Sequence, residues 1–317
     1  MSTVNPDRIL RELADLWVTT AKPAEGQSTQ QESGGVLRAC AMTLVAFVDE
    51  EENAQDLGET IAMLMRGHPS RAVVIRICEG EDRLESRVFQ QCWMPFGQRR
   101  QICCEQVEIT ASQDHLCDVP SIVAPLAVPD LPSVVWLRSR RICDAGAYGD
   151  VLQLGEKVIV DSARDGAPSF KTLIAFLDRG SIVGDLAWTR ITELRQLVAQ
   201  LVGSRSPRKF TVRGAGIPEP GIEARYLFAW LANAFPNAAS LLSSTGPGAE
   251  NNAGIEIDDD IRITLHPGSA DYQVSSMRQT AKFKSGSDFD LLNEELGITV
   301  HDPIFEKVLR KVAEWQK

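Results

Sequence analysis

The chain has 317 residues, 33 Lys and Arg against 43 Asp and Glu, a formal net charge of −10, and a composition 44% hydrophobic and 24% charged. That is the make-up of a folded globular protein with one large or two ordinary domains, and it excludes disorder and collagen-like repeats. The acidic balance argues against nucleic acid, whose binders need clustered Lys and Arg to displace counterions, and against an anionic membrane surface.

From Met1 to Arg11 no apolar stretch follows a basic start, so the N-terminus does not read as a secretory signal, and no run approaches the roughly 20 apolar residues of a bilayer span. Ile9, Leu10, Leu13, Leu16 and Trp17 recur at the spacing of one helical face, behind Pro6 and Asp7 at a helix start. Ala21 to Gly35, rich in Gln, Ser, Glu and Gly, reads as a linker. Leu37–Val48 then reads as one buried strand, Asn53–Arg66 as a helix capped by Gly67, and Ala72–Cys78 as the next strand. Ser86–Met94 and Gln101–Thr110 flank Pro95-Phe96-Gly97 and read as a hairpin.

Ser112–Val128 is expected to be helical in part, limited by Pro120 and Pro125. Ser133–Leu137 and Lys157–Asp161 are short strands, with a short helix between Asp144 and Gly155. Beyond them the pattern predicts helices at Ser169–Asp178, Trp188–Val202, Ala224–Ala234, Phe289–Leu296 and Pro303–Trp315. A short strand is expected at Lys209–Arg213, and β-rich runs at Ile255–Leu265 and Tyr272–Lys284. The expected fold class is α/β (mixed α+β): a mixed sheet with flanking helices in the N-terminal half and a more helical α+β C-terminal half. The expected organisation is a helix and flexible linker over 1–35, an α/β domain over 36–165 and an α+β domain over 166–317.

The seven cysteines, an odd number at irregular spacing, suit a reducing compartment, the cytoplasm, better than a disulfide framework. Cys103 and Cys104, with His115 and Cys117, lack the paired spacing of a zinc knuckle, and neighbours on a strand point to opposite faces. Cys103, Cys104 and Cys117 are therefore redox candidates, beside a plainer reading as buried thiols. His68-Pro69-Ser70-Arg71 joins a helix end to a buried strand; it gathers an imidazole, a hydroxyl and a guanidinium able to hold a phosphate. Its plainer reading is a helix stop with Ser70 and Arg71 solvated. Pro129-Asp130-Leu131-Pro132 is a turn feeding the strand of Trp136, after which Arg138, Arg140 and Arg141 form a local basic cluster. That cluster reads either as a contact for an acidic partner or sugar phosphate, or as arginines solvated at a strand end.

Asp185 is placed to cap the helix that follows it. Trp188 and Arg190 read as interface anchors or, for Trp188, as core. No nucleophile elbow, phosphate-binding glycine loop, dinucleotide fingerprint, zinc-helix motif or calcium loop is present, and Pro218 follows Gly214-Ala215-Gly216 too closely to open a dinucleotide-binding helix. No catalytic residue, metal ligand or cofactor is assigned.

Several segments resemble, in order, one known family. They are His68-Pro69-Ser70-Arg71, Cys104-Glu105-Gln106-Val107, Pro125-Leu126 with Pro129-Asp130-Leu131-Pro132, and Val134-Val135-Trp136. Val160-Asp161-Ser162, Gly184-Asp185-Leu186-Ala187-Trp188-Thr189-Arg190 and the helix Ala224–Leu231 follow. The set is similar to the OpcA family, the glucose-6-phosphate dehydrogenase assembly or subunit proteins, from about residue 36 to the 230s. It departs from the family pattern at Leu137, where many relatives carry a second Trp, and in the C-terminal third, which matches loosely. The resemblance implies a non-catalytic, cytoplasmic partner that assembles or activates glucose-6-phosphate dehydrogenase and so supports the oxidative pentose phosphate pathway and NADPH production. A phosphorylated sugar as ligand or substrate is the alternative. The contact candidates are His68, Ser70, Arg71, Asp130, Trp136, Arg138, Asp185, Trp188 and Arg190.

Overall fold

A computed structural model describes residues 4–20, 36–80, 82–95, 101–144, 153–215, 220–245, 253–284 and 286–315. The chain forms two compact units, Met1–Val160 and Asp161–Lys317. Among the described residues no helix is long and apolar enough to cross a membrane. The expected linker at 21–35 lies outside the described residues, as does most of the helix expected between 144 and 155.

In the first unit α1 (Pro6–Thr20) precedes a largely parallel sheet. The sheet contains β1 (Val36–Arg38), β2 (Met42–Asp49), β3 (Ser70–Cys78), β5 (Gln101–Ser112), β6 (Ser133–Leu137) and β7 (Lys157–Val160). β2 lies between β3 and β6, all three parallel, and β3 continues to β5 and β6 to β7. β4 (Leu84–Trp93) runs antiparallel beside β5, the predicted hairpin. β2 and β3 are buried at every residue, as the mostly apolar strands of a parallel sheet covered on both faces are. α2 (Ala54–Gly67) connects them, capped by the Asn53 side chain on Gln55 N and burying Leu57, Ile61, Leu64 and Met65. Because the chain steps from β2 to β3 on one side and later returns to β6 on the other, the strand order reverses between β2 and β6. Ligands of open α/β sheets bind outside the carboxyl ends of strands at such a reversal.

Two expectations are corrected in this unit. Leu37–Val48 is not one strand: β1 pairs with β5 while β2 pairs with β3 and β6. The chain shifts partners at Ala39–Ala41, where Ala39 N donates to Cys103 O and Ala41 N to Pro69 O. Gly67 is the last helical residue rather than the cap; His68 takes the cap position and donates its N–H to Leu64 O at 2.7 Å.

The second unit begins with α5 (Phe170–Asp178), β8 (Ile182–Asp185), α6 (Leu186–Arg190) and α7 (Thr192–Val202); α3 (Val119–Val123) and α4 (Arg140–Asp144) belong to the first. Its sheet runs β10-β9-β11-β12-β13-β14, built from β9 (Lys209–Ala215), β10 (Ala239–Thr245), β11 (Gly254–Ile257), β12 (Ile261–His266), β13 (Ser269–Val274) and β14 (Met277–Lys282). α8 (Ile222–Ala234), α9 (Asp288–Leu296) and α10 (Pro303–Glu314) complete it. The helix expected at Trp188–Val202 is two helices, turning at buried Ile191. β8 and β10 escaped the pattern: one is four residues long, and the other, Ala-Ser-Leu-Leu-Ser-Ser-Thr, is an edge strand without clean alternation. The result is an α/β mixed fold.

Candidate functional site

In the second unit the chemistry gathers on Asp185. β8 ends on this residue and α6 starts after it, so its carboxylate caps the helix: Oδ1 accepts from Ala187 N at 2.9 Å and Ser162 N at 3.1 Å. Oδ2 accepts from the Tyr226 hydroxyl of α8 at 2.6 Å, and both side chains are fully buried. Burial pushes the Asp185 carboxyl up to about 6 against the pull of these hydrogen bonds. Burial, reinforced by the facing carboxylate, also pushes the Tyr226 phenol well above its ordinary range.

The rest of the segment is committed in the same way. Thr189 Oγ1 donates to the buried Glu295 of α9 at 2.8 Å, and a Cβ on Gly184 would collide with that same carboxylate. Arg190 reaches Asp161 Oδ2 at 2.7 Å and Glu223 Oε1 at 2.9 Å. Trp188 is buried, edge-on to Tyr226 with centroids 6.1 Å apart and 5.7 Å from Phe305 of α10. The Arg195 guanidinium lies 3.5 Å from the Trp188 ring centroid, and burial holds its pKa down to about 10 despite nearby Asp302, Glu294 and Glu295.

In the first unit Ser70 and Arg71 are buried, not solvated. Arg71 Nε donates to Glu105 Oε2 at 2.6 Å and Nη1 to Leu126 O at 2.7 Å. Glu105 also accepts from Trp17 Nε1 at 2.5 Å and meets Arg38 at 2.6 Å, so one carboxylate ties α1, β1 and β3 to β5. A buried arginine with its carboxylate supplied internally is a structural pair. His68 is the α2 cap. Asp130 is exposed in a turn, with the φ of +62° that Asp tolerates better than most residues. Trp136 is buried in β6 with the Arg138 guanidinium 5.4 Å from its ring.

Nor are the arginines after β6 simply solvated. They gather at the carboxyl ends of β2 and β6, where the strand order reverses. Arg141 meets Glu51 through both Nη atoms, at 2.7 and 2.5 Å, and Glu79 at 3.0 Å, while Nη1 also donates to Ile77 O at 3.0 Å. Arg138 pairs with Glu52, and Asp49, the last residue of β2, accepts from the Ser139 hydroxyl and from Arg140 N at 3.1 Å. Hydrogen bonds from Arg141 hold the Glu51 carboxyl down at about 2.

The cysteine expectation needs correction. Cys92 and Cys103 face each other across the β4–β5 ladder and form a disulfide. Hairpin register, invisible in cysteine spacing, brings them together. Cys104 points away and stays free; burial pushes its thiol up to about 11. Cys117 is free and exposed. Among the described residues no group of three or more His, Cys, Asp or Glu is placed to hold a metal ion. Asp161, Tyr226, Glu223, Glu295 and Glu105 are the partners that sequence reasoning missed as site residues. Asp161, Tyr226 and Glu105 lay within segments quoted for the family resemblance, which was the available signal.

Two family models match the chain, one described as glucose-6-phosphate dehydrogenase subunit N-terminal domain over residues 62–175, the other as the C-terminal domain of that subunit over residues 181–309. The chain belongs to the OpcA family. Two curated relatives named OxPP cycle protein OpcA are similar to it. The one from Synechococcus elongatus is 25% identical over 134 residues, and the one from Nostoc punctiforme 23% over 147. These matches cover 40% and 44% of this chain but only 30% and 31% of the relatives. Distant likenesses among solved structures include a biliverdin reductase from Synechocystis, with TM-score 0.48, 11% identity, and 86% and 96% of the two chains covered. Another is UDP-N-acetylglucosamine 3-dehydrogenase from Acidithiobacillus ferrooxidans, with TM-score 0.47, 9% identity, and 88% and 96% covered. At these scores neither likeness bears on function.

Proposed function

We propose that the chain is a non-catalytic, cytoplasmic partner that assembles or activates glucose-6-phosphate dehydrogenase, supporting the oxidative pentose phosphate pathway and NADPH production. The observation that carries this reading is the ordered match to both halves of a glucose-6-phosphate dehydrogenase subunit, over 62–175 and 181–309. The geometry supports it from another side. A dinucleotide's pyrophosphate needs a glycine turn after the first strand; here the loop after β2 is Asp49-Glu50-Glu51-Glu52, which has no glycine. The Asp185–Arg190 segment spends its polar groups on internal bonds, which suits a scaffold that presents a surface. Such a partner acts by binding one state of the dehydrogenase better than another.

The test is co-purification with the dehydrogenase of the same organism, with its oligomer distribution, KM and rate measured with and without this chain. Association with a change in any of these is expected. Absence of both association and effect sinks the reading. Binding of a phosphorylated sugar is the second reading, favoured by the arginines after β6.

A further inference from the structure

Outside the carboxyl ends of β2 and β6 lies a guanidinium that is built in from below and covered from above. Arg141 has a side chain only 13% exposed, and it is fixed by Ile77 O. The carboxylates that cover it are on the solvent side: Glu51 is 65% exposed and Glu79 is 73% exposed. Glu51 meets Arg141 fork to fork, an arrangement that phosphate oxygens reproduce equally well. Both carboxylates reach solvent, so each can turn outward when another oxyanion takes its place on the guanidinium.

We propose that the Arg141 guanidinium is the centre of an oxyanion site for a phosphomonoester dianion, in which Glu51 and Glu79 are self-ligands that turn out to solvent when the ligand binds. The other charges facing it are Arg138 paired with Glu52, Arg83 paired with Glu50, Arg140, and Asp49 held by Ser139. With Glu51 and Glu79 turned away, the Arg141 Nη atoms that met them are left for the ligand's oxygens. Arg140 is 65% exposed and free to swing toward a bound phosphate from the rim. The position is the one that sheet topology opens for ligands, and a short phosphoester needs no glycine turn because it does not lie along the β2–α2 loop. The same chemistry is carried by a sugar phosphate and by a nucleoside monophosphate. This site deepens the second reading and is independent of any protein partner.

The test is calorimetric titration of the full chain with inorganic phosphate, ribose 5-phosphate and AMP at matched ionic strength. Saturable binding is expected, tightened roughly five-fold by Glu51→Gln, which removes the competing charge. Arg141→Gln should abolish it. Glu51→Gln keeps the test decisive if Arg141→Gln fails to fold. Tighter binding of ribose 5-phosphate than of AMP assigns a sugar phosphate, and the reverse assigns a nucleotide. No saturable binding by either wild type or Glu51→Gln at millimolar phosphate overturns the proposal. So does binding that Glu51→Gln weakens, or that a folded Arg141→Gln retains. Loss of phosphate binding with dehydrogenase association intact would strike this site alone, and the converse would strike only the partner reading.

Discussion

Asp185→Asn tests the hub of the second unit, because it removes a charge while leaving every hydrogen bond a possible partner. The asparagine Oδ1 still accepts from Ala187 N and Ser162 N, and its Nδ2 donates to the Tyr226 oxygen. The phenol proton then turns toward Ser162 Oγ, 3.4 Å away. In the native protein the carboxyl titrates near 6 against 3.8 for a free side chain. The folded state thus holds this proton more tightly than the unfolded state. Its contribution to stability is full at pH below the unfolded value and is lost as pH rises through the folded one. The whole shift corresponds to about 3 kcal/mol. About 1.4 kcal/mol of it disappears between pH of about 5 and about 7.5. Denaturant unfolding of both proteins at those two pH values isolates the effect, since every other titrating group cancels in the difference. Relative to the variant, wild type should lose about 1.4 kcal/mol on going to the higher pH. Parallel pH profiles would refute the argument that Asp185 is a charge held in the core at neutral pH.

Four further outcomes are expected. Arg71→Met should destabilise the first unit by about 3 kcal/mol, seen as a lowered urea midpoint, because it strips the buried Glu105 of its most buried partner. Gly184→Ala should cost roughly 1–3 kcal/mol in the same assay, since the added methyl collides with the buried Glu295. Trp188→Ala should cost about 3–5 kcal/mol and loosen Arg195, Tyr226 and Phe305 together, which hydrogen exchange over α8 and α10 will report. Thiol labelling of the denatured, unreduced chain should leave Cys92 and Cys103 unlabelled, and Cys92→Ser should leave Cys103 newly reactive.

Much of the fold was legible because its causes are local. Apolar spacing within α2 and α10 marks one buried face, and the apolar run of β3 marks a strand covered on both sides. Asp185 as a helix cap needed only the residues just after it. The breaks at Ala39–Ala41 and Ile191 were not legible, because both depend on which distant element the chain meets next.

The candidate site divides along the same line. Sequence alone determined that Arg71, Trp188 and Arg190 stand in marked segments, and the ordered segments pointed to the family. It left open whether those side chains face solvent or one another, and tertiary structure decided that. Glu105 meets Arg71 across 34 residues and Trp17 across 88, Tyr226 reaches Asp185 across 41, and Glu295 reaches Thr189 across 106. Cys92 and Cys103 pair through hairpin register. A helix face or a cap is set by backbone geometry within a turn or two, so a short window of residues contains it. The partner of a buried charge is set by which strands lie side by side, and only the assembled sheet brings those carboxylates and guanidiniums within reach.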